Sequence, residues 1–303
     1  MPRFFIAMSP FSRRSFLQTL AASAVAVPFA GRSAETAPWP VIGFTKPIQM
    51  ATPERTAEIV SEVGWSGIEL PLRAKGQIEP ERAEEDLPKM VEALKKRGLS
   101  VGLITTDIVS VDTPHTEKVL RTAKALGITR YRTGYDRYDS SVSPQKQLAE
   151  IKPKFRDLAA LNRQLGVRAG LQNHSGAAMV GCAVWDIFEL VRDLDPADIG
   201  ICFDIGHATL EGGTSWPVEA RLMEPWMVCV YVKDFSWERS AKGFEPKWGP
   251  LGNGMVRREF FDWLRKSTYR GQISLHVEYL SGDTPENVAQ MKRDQAKLRE
   301  WIG

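Results

Sequence analysis

Residues 199–208 read Ile-Gly-Ile-Cys-Phe-Asp-Ile-Gly-His-Ala, an uncharged run that ends in an acid, with a histidine three positions later. An apolar run of this length with a polar tip suits a strand buried on both faces, as in a parallel sheet; Asp204 and His207 then emerge at its carboxyl end. The rest of the chain repeats the theme. Strand-like runs at 41–44, 68–72, 101–105, 131–133, 167–171, 199–203, 228–232 and 273–277 alternate with amphipathic helical stretches. Thr52 and Pro53 open the first helix, Pro80 opens the second, and Gly98, Gly127 and Gly166 stop three of them. Eight such units favour a closed barrel, and the Gly-rich phosphate turn of an open doubly wound sheet does not follow the first strand. The predicted fold class is α/β, a single (β/α)8 barrel over 41–303, whose carboxyl-end face holds the chemistry.

With 303 residues, 43% of them hydrophobic and 25% charged, the chain can bury one barrel-sized core. Its start is different in kind. Residues 12–18, Ser-Arg-Arg-Ser-Phe-Leu-Gln, resemble a twin-arginine export signal and precede an Ala-rich run, 19–30, too short to span a bilayer. The expectation is a signal peptide over 1–30, cleaved after Ala26, then a linker over 31–40. Such a protein is periplasmic or otherwise exported by the twin-arginine pathway, without a stable membrane anchor after cleavage. Losing 1–26 removes Arg3, Arg13 and Arg14, so Lys+Arg falls from 40 to 37 against 37 Asp+Glu. A near-neutral mature chain argues against nucleic acid held by bulk charge. Cys182, Cys202 and Cys229 are too few and too widely spaced for a disulfide scaffold; Cys202 and Cys229 fall on neighbouring strands, where buried thiols or one bridge are both open.

The strand tips collect Glu69, then Gln172-Asn173-His174, Asp204 with His207, Tyr231 with Lys233-Asp234, and His276 with Glu278. Residues two apart on a strand share a face, so Tyr231 points with Lys233, and His276 with Glu278. Together with Phe203-Asp204-Ile205-Gly206-His207 and Val232-Lys233-Asp234, these tips resemble the xylose isomerase-like TIM barrel superfamily, over roughly residues 41–303. That superfamily includes sugar phosphate isomerases, sugar epimerases and apurinic endonucleases.

The resemblance implies a divalent metal, Mn, Mg or Zn, held by a Glu, an Asp, a His and a Glu at the ends of strands five to eight. Asp204 and Glu278 match, Gln172 stands at the first Glu, and Tyr231 stands at the His. A Gln oxygen can bind a hard cation but adds no charge and accepts no proton, and a tyrosine near its ordinary pKa is a poor ligand. The ligand set is then Asp204, Glu278 and Gln172. Glu278 is the candidate general base and His207 the candidate catalytic imidazole. Gln172, His174, Lys233, Tyr231 and Glu69 are candidate substrate contacts, and Lys233-Asp234 reads also as an ion pair bracing the strand end. Within the long loop 236–254, Trp237 and Trp248, near Arg239, Lys242 and Lys247, suit stacking on a sugar ring, and equally a contact between copies in a homo-oligomer.

The function expected is an exported isomerase, epimerase or sugar lyase acting next to a carbonyl of a small-molecule carbohydrate or polyol, with divalent-metal assistance. The alternative is a metal-independent or non-catalytic carbohydrate-binding barrel with a degenerate metal site. A nucleic-acid repair role needs a richer ligand set than four histidines provide.

Overall fold

The computed structural model describes residues 39–303. The signal peptide and the linker, apart from Trp39 and Pro40, lie outside the described residues. Eight parallel strands close the barrel: β1 (Val41–Phe44), β2 (Gly67–Pro71), β3 (Ser100–Thr105), β4 (Arg130–Arg132), β5 (Arg168–Gln172), β6 (Ile199–Asp204), β7 (Met227–Val232) and β10 (Ile273–Leu275), which pairs with β1. Every residue of β6 and β7 is buried, as the uninterrupted apolar runs require of strands covered on both faces. Ile42, Leu103, Cys202, Val228, Cys229 and Tyr231 fill the barrel, while a larger apolar cluster packs strands against the helical ring.

The helices are α1 (Pro53–Val63), α2 (Ala83–Lys95), α3 (Thr116–Ala125), α4 (Pro144–Leu165), α5 (Val184–Val191), α6 (Ile205–Gly212), α7 (Trp216–Met223), α8 (Glu259–Lys266) and α9 (Pro285–Ile302). Thr52, Ser143 and Thr284 cap their helices through side-chain oxygens that accept from the third residue on, each with proline at the first helical position. None of the helices among the described residues is long and apolar enough to cross a membrane. Cys202 and Cys229 are register partners on β6 and β7, and all three cysteines are free thiols.

Two elements correct the sequence reading. The stretch 236–254 is largely not a loop: β8 (Asp234–Ser240) and β9 (Gly243–Gly249) form an antiparallel hairpin that rises from the end of β7. Its strands are mostly exposed and charged, with Pro246 inside, so no apolar alternation marks them. Helix α6 also starts directly at the end of β6, where no connecting loop separates strand from helix.

Close strand approach sets one glycine. A Cβ on Gly200 of β6 would fall 1.9 Å from the Trp226 carbonyl oxygen, which is backbone and cannot turn aside. Gly200→Ala is therefore expected to lower unfolding free energy by about 3 kcal/mol, whereas Gly249→Ala, with nothing within 4 Å, shifts it by under about 0.5 kcal/mol. Urea denaturation of the two variants checks the contrast.

Candidate active site

Asp204 is the last residue of β6 and the cap of α6, and both roles follow from its short side chain. Its Oδ1 accepts from the His207 backbone N–H at 3.0 Å, satisfying one of the free donors of the helix start. Asn173, just past β5, continues the sheet with its side chain: it accepts from the Asp204 N–H at 2.8 Å and donates to the Asp204 carbonyl at 2.9 Å. The carboxylate is thus fixed at the barrel mouth with no solvent exposure.

The other oxygen of Asp204 faces two donors. Gln172 Nε2 donates to Oδ2 at 2.7 Å, and Lys233 Nζ lies 3.2 Å from it. The same ammonium lies 3.4 Å from Glu278 Oε1, so Lys233, 7% exposed, bridges two carboxylates. Gly206 makes room for it, because a Cβ there would lie 2.8 Å from both Cγ and the carbonyl oxygen of Lys233. This accounts for the glycine between Asp204 and His207. The expected Lys233-Asp234 pair is not formed: Asp234 turns to the following loop and accepts backbone N–H groups of Phe235, Gly252, Gly254 and Val256.

Charge follows this geometry. Burial pushes the Asp204 carboxyl up, but the Lys233 ammonium first, then His276 and the His207 backbone N–H, outweigh it and hold the group at about 2, below its ordinary 3.8. Lys233 stays protonated, since the two carboxylates overcome the penalty of burial. Glu278 is held well below the usual carboxylate range against burial by Lys233, His276 and Lys46, whose Nζ is 2.6 Å from Oε2.

Behind Glu278 lies a second chain of groups. His276 places Nδ1 3.4 Å from Glu278 Oε1 and Nε2 3.0 Å from Glu69 Oε2. Glu69, on β2, is fully buried and also accepts from Thr105, from Tyr231 at 2.9 Å and from Ser274 at 2.6 Å. Burial lowers His276 while the Glu69 charge raises it, and the net direction is up, so imidazolium is favoured between two carboxylates. Burial drives the Tyr231 phenol well above 10, which keeps it a donor rather than an anion.

Two imidazoles complete the mouth. His174 and His207 stack with centroids 4.1 Å apart, and burial, followed by Lys233, lowers both, His207 strongly; they are neutral. Their partners assign the tautomers. His207 Nδ1 accepts from Ser175 N–H at 3.2 Å, leaving the proton on Nε2, which is buried without a partner. His174 Nδ1 donates to the Ser175 carbonyl at 2.9 Å, leaving a lone pair on Nε2. Trp248, delivered by β9, packs edge-on against His207 at 4.9 Å and lies 4.8 Å from Lys233 Nζ.

The mouth has two lobes. One, about 260 Å³, is lined by His174, His207, Lys233, Trp248, His276 and Glu278 among others. The second, about 220 Å³, shares Lys46, His174 and Glu278 with it and adds Gln172, Arg132, Tyr135, Arg73 and Arg137. Three predicted contacts are absent from both walls. Glu69 and Tyr231 lie beneath, acting on His276, and Trp237, 45% exposed, packs against Phe235 on the hairpin. Lys46, Arg132, Tyr135, Arg73 and Arg137 escaped the sequence reading; the signal for Arg132 was a cation at the end of a strand, a costly place without a partner.

The chain matches the family described as xylose isomerase-like TIM barrel over residues 57–301. It belongs to that family. The family fold recurs in the probable 3-DHS dehydratase AsbF of Bacillus anthracis, at 16% identity and TM-score 0.66, covering 86% of this chain and 98% of that one. It recurs also in a D-allulose 3-epimerase of Methylomonas sp. solved with D-allulose, at 13% identity and TM-score 0.64, covering 88% and 98%. An uncharacterised protein of Methanocaldococcus jannaschii is 23% identical over 166 residues, 54% of this chain and 49% of that relative, so the chain spans about half its length.

As a metal-holding set, the family positions do not fit here. Among the described residues no three His, Cys, Asp or Glu side chains converge as ligands. Gln172 gives its amide nitrogen to Asp204 and its oxygen to Tyr135 at 2.5 Å and Arg132 at 3.4 Å, Tyr231 bonds Glu69, and an ammonium fills the space between Asp204 and Glu278. Lys233→Met leaves both carboxylates without that partner and is expected to cost about 3–5 kcal/mol at neutral pH, largely recovered in Lys233→Met/Asp204→Asn. The wild-type contribution of Asp204 is complete above 3.8 and lost as pH falls through about 2. In Lys233→Met the acid limb moves to higher pH, which denaturation curves against pH will show.

Proposed function

We propose that the protein is a sugar isomerase, epimerase or lyase that removes a proton next to a carbonyl of a carbohydrate or polyol without a metal. The observation that carries this reading is a carboxylate and an ammonium 3.4 Å apart, Glu278 and Lys233, on the wall of one cavity. Glu278 takes the proton from carbon and becomes neutral. The electron pair moves onto the carbonyl oxygen, where Lys233 and the unpartnered His207 Nε2–H stabilise the oxyanion. Return of the Glu278 proton to the same face restores the carbon, and delivery from water on the opposite face, with Glu278 releasing its proton to solvent, inverts it. Return to the former carbonyl carbon, with the adjacent hydroxyl proton passed to the oxyanion, isomerises. Departure of a β-hydroxyl as water with the proton held by Glu278, the carbonyl reforming as the oxyanion collapses, is the lyase outcome.

Gln172 cannot hold a proton, so the group that takes up the hydroxyl proton and passes it to the oxyanion is His174, whose Nε2 lone pair accompanies a hydrogen-bonded Nδ1–H. The activities named for the two structural neighbours, a dehydratase and a 3-epimerase, suit the same class of proton transfer. Residues 12–18 support action after export, in the periplasm. The competing reading, a barrel that binds a carbohydrate without converting it, draws on the three cations around Glu278, which weaken it as a base.

Incubating the protein with keto-sugars in deuterated water and following the carbon next to the carbonyl by NMR separates the two. Deuterium is expected to enter, with Glu278→Gln about 10²–10⁴-fold slower. A sugar that binds and never exchanges overturns the enzymatic reading.

A further inference from the structure

The second lobe carries charge that the proton transfer does not use. Arg132, at the end of β4, is 2% exposed, yet its guanidinium has one hydrogen bond, to the neutral Gln172 oxygen at 3.4 Å, and lies 4.6 Å from the Tyr135 ring centroid. Arg73 and Arg137 line the same space. None of these three arginines forms an ion pair among the described residues. The carboxylate on this wall, Glu278, is already engaged by Lys46, Lys233 and His276. A buried guanidinium without an anion is costly, and a fork of five donors matches an oxyanion that accepts two hydrogen bonds at once.

We propose that this lobe binds the anionic substituent, carboxylate or phosphate, of an acidic sugar whose carbonyl end lies at Lys233. The substrate class follows from the reading given above, and the two lobes place its parts. Gln172 stands between them, joined to Asp204 on one side and to Arg132 on the other. Because it is an amide, it adds no charge of its own beside Arg132, and the buried carboxylate that acts on the guanidinium, Glu69, is already bonded to Thr105, Tyr231, Ser274 and His276.

Calorimetry with D-fructose, D-fructose 6-phosphate and D-tagaturonate, at low ionic strength, tests this. At least one acid is expected to bind about tenfold or more tighter than D-fructose, and the stronger of the two identifies carboxylate or phosphate. In Arg132→Gln the ratio of acid to neutral affinity falls toward one. Should Arg132→Gln lose its native circular dichroism, the double variant Arg73→Gln/Arg137→Gln, at the less buried arginines of the same lobe, decides the matter by the same ratio. Acids that bind no tighter than D-fructose, or fail to bind, overturn the proposal, as does a preference that survives in the folded Arg132→Gln or, failing that, in Arg73→Gln/Arg137→Gln. The readout is independent of turnover. An arginine-dependent acid preference without deuterium exchange sinks the enzymatic reading alone, and exchange without acid preference sinks the acid lobe alone.

Discussion

The ammonium of Lys233 lies between Asp204 and Glu278, and the carboxyl-end mouth of the barrel is built around that contact. Two carboxylates this close in a buried site repel, and each without a cation would have to take up a proton or rearrange. Lys233, with Lys46 and His276 adding to it at Glu278, favours the ionised form of both. Gly206 admits its stem, Asn173 and the start of α6 hold Asp204 for it, and His276, backed by Glu69, holds Glu278 from the far side.

The fold was largely legible because barrel strands and capped helices leave local marks. Eight apolar runs, the Thr52-Pro53 and Pro80 helix starts and the stopping glycines lie within a few residues of the observed elements. The hairpin β8–β9 was not legible, since Trp237-Glu238-Arg239 and Glu245-Pro246-Lys247 present no apolar face, and its position depends on Phe235 and Trp248 packing together.

The site was legible as a set of residues but less so as a set of pairs. Asp204, His207, Lys233, His276 and Glu278 do converge, as strand-end positions in a barrel must. Yet the partner of Lys233 is Asp204 on the adjacent strand, where Asp204 and Tyr231 are in register, and not its neighbour in sequence. Cross-strand adjacency is set by barrel closure, which spacing along the chain does not encode. Arg132 was missed for a related reason: a three-residue strand, Arg130–Arg132, gives too short a pattern to say which arginine points inward.

Between Asp204 and Glu278 this chain holds a covalently tethered cation, which carries a single charge, donates hydrogen bonds and cannot be lost to a chelator. The most direct test is a titration of the purified protein with Mn²⁺ followed by electron paramagnetic resonance at neutral pH. The account predicts no stoichiometric binding in the micromolar range. One Mn²⁺ bound tightly per chain, lost in Asp204→Asn, would contradict it.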